Sequence, residues 1–206
     1  MVIASPRIQE LADVNFPDPN LEAVVREMIR KPTGPIYPKD LEGIIILPGE
    51  YKKISNLAGL EYCTNLVELR LWGNQIRDIS AVSGLINLKY LYLERNQISD
   101  ISPLSGLYNL LSLYLLGNQI GDISPLSGLY NLMALGLERN SISDISPLSG
   151  LTNLVVLGLE RNSISDISPL SSLTHLVSLT LNRNQISNIK PLEDNPGLSY
   201  GDVEEL

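Results

Sequence analysis

The chain has 206 residues, 44% of them hydrophobic, and 15 Lys+Arg against 23 Asp+Glu give it a formal net charge of −8. That hydrophobicity is too high for a disordered chain. The acidic balance argues against a nucleic-acid partner or an anionic membrane surface, both of which need a basic stripe. The single cysteine, Cys63, rules out an internal disulfide and reads as a small buried apolar residue.

No apolar run reaches the ~20 residues of a membrane span, so no membrane insertion is expected. The opening MVIASPRIQEL has neither the basic nor the apolar region of a signal peptide. Residues 1–15 are read as a leader segment, expected to be poorly ordered. Asp18-Pro19 then opens a helix, with Asp as cap and Pro in the first turn. Leu21, Val24, Val25, Met28 and Ile29 form a one-sided apolar stripe, and Pro32, Gly34 and Pro35 end the segment. Residues 16–42 are expected to cap the end of a stacked core. Residues 43–64 read as a degenerate first repeat, in which Ile44, Leu47, Ile54, Leu57 and Leu60 fall on core positions.

From residue 65 to 196 a 22-residue unit recurs six times, starting at Asn65, Asn87, Asn109, Asn131, Asn153 and His175. A fixed period of this length means one structural unit stacked on the next. In the copy at 87–108, Leu88, Leu91 and Leu93 alternate with Lys89, Tyr90, Tyr92 and Glu94, the period of a short strand with one buried face. The column containing Asn96 is expected to bond to neighbouring backbone. Ser102-Pro103 predicts a single 3₁₀ or short helical turn with serine as its cap. The column Asp78, Asp100, Asp122, Asp144, Asp166 is read as turn capping, since one oxygen per coil does not enclose a cation. Residues 197–206 read as a partial C-terminal coil, and the chain is expected to be a piece of a longer parent.

The pattern LxxLxLxxNxIxxIxxLxxL over 65–192 resembles the leucine-rich repeat of the 22-residue class. The cap LEAVVREMI, the segment DLEGIIILPGEYKKISNLAGLEYCTNL and coils such as NQISDISPLSGLYNL are similar to bacterial internalin-like proteins. The resemblance implies an α/β solenoid: a concave parallel β-sheet, short 3₁₀ turns on the convex side and an α-helical N-terminal cap. A similar repeat occurs in an intracellular regulator of a eukaryotic protein phosphatase. An extracellular or cell-surface location is therefore expected, with a cytoplasmic one as the alternative.

No nucleophile elbow, phosphate loop, metal cluster or dinucleotide fingerprint is present, so no enzyme and no cofactor are expected. His175, the only histidine, reads as a loop or strand-edge substitution rather than a catalytic base. Glu138 and Glu160 share a column, but on an open sheet they are expected to stay solvated and neutralised by Arg139 and Arg161. The outward strand positions are free of the core, and there Arg70, Trp72, Tyr90, Tyr92, Glu94, Tyr114 and Leu116 cluster in the N-terminal half. Trp, Tyr and Arg are the types enriched at interface hot spots. Glu138, Arg139, Glu160 and Arg161 border a bare strip of Ala134, Gly136, Val156 and Gly158. The resulting expectation is a monomeric, non-catalytic module that binds a protein partner on this face. A carbohydrate- or cell-wall-binding domain and an architectural spacer are the alternatives, as is aromatic packing that only stabilises the sheet.

Overall fold

The computed structural model describes residues 12–193 and 195–198. Seven three-residue strands form one parallel sheet in chain order: β1 (Ile46–Pro48), β2 (Glu68–Arg70), β3 (Tyr90–Tyr92), β4 (Ser112–Tyr114), β5 (Ala134–Gly136), β6 (Val156–Gly158) and β7 (Ser178–Thr180). Leu47, Leu69, Leu91, Leu113, Leu135, Leu157 and Leu179 pair in register, each 22 residues from the next. The central residue of every strand is buried, while its neighbours face outward. The leucine and isoleucine columns of all coils join into one continuous core. No coil encloses its own apolar face, so stacking supplies the burial. The protein is an α/β solenoid of the leucine-rich repeat type, with a helical cap and thin 3₁₀ turns opposite the sheet.

Those turns include Ser102–Leu104, Ser124–Leu126 and Ser146–Leu148. Serine is not their cap, contrary to the expectation from sequence. Pro103 has no N–H, and Leu104 N–H donates to Ile101 O, so the free donor is Ser102 N–H. Asp100 Oδ1 accepts it at 2.8 Å. Asp78, Asp122, Asp144, Asp166 and Asn188 do the same in their own coils. The aspartate column is thus a column of turn caps.

The asparagine column works between coils. Asn96 Oδ1 accepts from Ile76 N–H, and its Nδ2 donates to Leu71 O and Leu93 O. Asn74, Asn118, Asn140, Asn162 and Asn184 repeat that pattern. A second ladder runs through the asparagines that open each copy: Asn109 Nδ2 donates to Ile86 O, Asn131 Nδ2 to Tyr108 O. His175 takes that position with Nδ1 2.9 Å from Thr152 O, so the accepting carbonyl fixes the Nδ1–H tautomer. The histidine is a structural replacement for asparagine.

The cap helix α1 spans Pro19–Ile29. Leu21, Val24 and Val25 are buried, but Met28 is 39% exposed, so the buried stripe is shorter than its periodicity implies. Asp18 does more than cap the helix. One carboxylate oxygen accepts from Asn20 and Leu21 N–H, and the other from Ser55 N–H, Ser55 Oγ and Asn56 N–H. The second set ties the cap to the first coil. A four-residue helix, α2 (Pro38–Leu41), leads into β1. Val14, within the stretch read as a leader, is buried and its N–H donates to Ile36 O at 2.6 Å. The rest of that reading, at 1–11, and the end of the C-terminal coil, at 199–206, lie outside the described residues.

Candidate functional site

The outward positions of the sheet form three columns. The first strand position holds Glu68, Tyr90, Ser112, Ala134, Val156 and Ser178; the third holds Arg70, Tyr92, Tyr114, Gly136, Gly158 and Thr180. Two residues further on stand Trp72, Glu94, Leu116, Glu138 and Glu160. The sequence-predicted residues of the N-terminal half are thus neighbours on one face.

Their contacts are specific. Tyr92 and Tyr114 stack with centroids 5.5 Å apart and planes 3° from parallel. Burial, then the charge of Glu68, pushes the Tyr92 hydroxyl above the usual tyrosine range. Arg70 is drawn to Glu68 on the same strand, Nε to Oε1 2.5 Å. Trp72 meets Tyr51 edge to face at 4.5 Å and 69°. Tyr51 belongs to the degenerate first repeat and escaped the sequence reading. Its signal was register: Tyr51 lies 22 residues before Gly73, whose missing side chain leaves room for the ring.

Beyond the stack, two expectations fail. The strip at Gly136 and Gly158 is not bare, because both glycines are buried. The Tyr114 ring occupies the space a Cβ on Gly136 would take, and the Glu138 carboxylate occupies that above Gly158. Glu138 is therefore only half solvated, and the same holds for Glu94. Oε2 of each is buried without a hydrogen-bond partner. Burial pushes both carboxyls above the usual carboxylate range, each residue's own N–H opposes it, and a neighbouring carboxylate pushes further (Glu138 for Glu94, Glu160 for Glu138). Among the described residues Arg161 pairs with Glu160 at 3.1 Å, whereas Arg139 makes no ion pair with Glu138. Arg139 sits in a left-handed turn (φ 55) that leaves its side chain exposed at the rim.

Among the described residues no cluster of three His, Cys, Asp or Glu is arranged to hold a metal, and no helix is long and apolar enough to cross a membrane. Burial pushes the Cys63 thiol up to about 12, with the charge of Glu61 adding to it, so Cys63 is a core residue rather than a nucleophile.

Comparison with known proteins agrees with this architecture. The family described as leucine rich repeats (2 copies) matches residues 86–128, 131–171 and 152–194. An internalin (inlF) from Listeria monocytogenes is 37% identical, with a TM-score of 0.75 over 89% of this chain and 62% of that one. This chain thus spans less than two thirds of that internalin's length. Internalin C2 (inlC2), also from Listeria monocytogenes, is 36% identical, with a TM-score of 0.72 over 92% of this chain and 96% of that one. No curated protein matches. The chain belongs to the leucine-rich repeat family and is an internalin-like member of it.

Proposed function

We propose that this chain is a non-catalytic recognition module that binds a protein partner on the concave sheet, around Tyr92 and Tyr114, and that it works as a monomer at the surface of a bacterium or outside it. The observation that carries the reading is the row of partly exposed aromatics, Trp72, Tyr90, Tyr92 and Tyr114, on a face that the core does not use. Large rigid aromatics of this kind supply contact area at low entropic cost. The internalin relatives are consistent with a surface or secreted setting.

A sugar-binding platform needs an open ring face. Here Tyr92 and Tyr114 turn faces to each other, and the Tyr114 ring also lies against Gly136. That favours a protein partner, which docks over ring edges and hydroxyls. Catalysis is disfavoured because His175, the one imidazole, is held in the asparagine ladder. The test is selection of peptides from a random phage-displayed library on the full chain, followed by titration against Tyr92→Ala and Tyr114→Ala. Tenfold or greater loss of affinity, with unchanged circular dichroism, is expected. Retained binding, or a glycan-array signal that these substitutions abolish instead, overturns the proposal.

A further inference from the structure

We propose that the protein partner presents a basic side chain, arginine or lysine, which Glu138 receives beside the edge of the Tyr114 ring, with Glu94 as a second carboxylate across Leu116. This rests on the protein-recognition reading above and names the chemistry of what is recognised.

Three observations converge on it. The acidic residues of the face are unequally committed. Glu68 is tied to Arg70 and Glu160 to Arg161, while among the described residues neither Glu94 nor Glu138 belongs to an ion pair. Each of the two also keeps a buried oxygen without a donor, a state that destabilises the free protein and that a cationic donor from outside relieves. Both side chains are only half-buried, and the terminal torsion of a glutamate is soft, so the oxygens can turn to a guest.

The repeat itself supplies the control. Leu116 and Asn182 occupy the same column as Glu94 and Glu138, so the coil does not require a carboxylate there. Gly136 and Gly158 let the neighbouring Tyr114 and Glu138 side chains lie flat on the sheet, which sets an aromatic edge and a carboxylate side by side. An arginine or lysine fits that pair, with its aliphatic stem along the ring and its charged head at the carboxylate.

The experiment uses the phage-selected peptides on the full chain, each synthesised with its basic residues and again with glutamine in their place. The proposal expects Arg or Lys in the selected consensus. It expects E94Q/E138Q to weaken binding at least tenfold while thermal stability holds or rises, and the glutamine peptides to bind the double variant as well as the parent peptides do. Peptides that lack basic residues and lose binding with Tyr92→Ala but not with E94Q/E138Q overturn this inference and leave the recognition reading standing. Peptides indifferent to Tyr92→Ala and Tyr114→Ala, or a library yielding none, overturn both.

Discussion

Glu138 shows how a single side chain on an open sheet can be worse solvated than its position implies. Its carboxylate lies over Gly158 with one oxygen buried and unpartnered, and burial raises its pKa. A carboxyl whose folded pKa lies above its unfolded value binds its proton more tightly when folded. Its contribution therefore turns unfavourable as pH rises through the carboxylate range, and the loss is complete above the folded pKa. Asp18 and Asp40 carry the opposite sign. Burial pushes Asp18 up, but its accepted hydrogen bonds outweigh that, and the Lys31 hydrogen bond lowers Asp40, so both lose stabilisation as pH falls. Comparing wild type with Glu138→Leu cancels the aspartates. Leucine is what the preceding coil carries at this position, as Leu116. Glu138→Leu is expected to raise the unfolding free energy by about 1 kcal/mol at pH 7, with a smaller gain at pH 4, in urea titrations. An equal gain at both pH values contradicts the desolvation account.

Turns and caps decide the elements, and here similar positions diverge. The turn after each strand needs a left-handed residue, filled by Gly73 and Gly117 but also by Tyr51, Arg95, Arg139, Arg161 and Arg183. A Cβ at Gly117 meets nothing closer than Arg95 Cγ at 3.7 Å, so Gly117→Arg is expected to change stability by no more than about 1 kcal/mol. At Gly73 the Tyr51 ring fills that space, so Gly73→Arg is expected to cost about 2 kcal/mol and to separate Tyr51 from Trp72. Tryptophan fluorescence alongside denaturation checks both. Asp18→Ala removes a helix cap and strands donors at Ser55 and Asn56 together, a loss of about 2–4 kcal/mol expected from the same titration. The sequence revealed the Asp18 cap and the 22-residue strand spacing because both are local patterns. It hid the bond from Asp18 to Ser55, 37 residues away, and the cover over Gly158, because these depend on how distant elements dock and which way a long side chain lies.

At the scale of the whole molecule, stability is a sum of coils and the interfaces between neighbours. The strand register advances by 22 residues at every step, and both asparagine ladders reach only into the preceding coil. Removing residues 131–152 therefore brings like to like: Asn153 takes the place of Asn131 against Tyr108 O, Gly158 that of Gly136 beneath Tyr114, and Glu160 that of Glu138. The shortened chain is expected to fold, to keep the Tyr92–Tyr114 stack, and to lose roughly an eighth of its denaturant m-value, in proportion to the surface it no longer buries. Removing 131–151 instead, one residue fewer, puts the C-terminal coils out of step with the N-terminal ones. Side chains alternate across a strand, so a one-residue slip turns outward residues such as Gly158 toward the core and Leu157 toward solvent. That deletion is expected to disrupt packing at the junction, seen as loss of a single cooperative transition by circular dichroism. Equal tolerance of the two deletions contradicts a register fixed by the shared leucine interior.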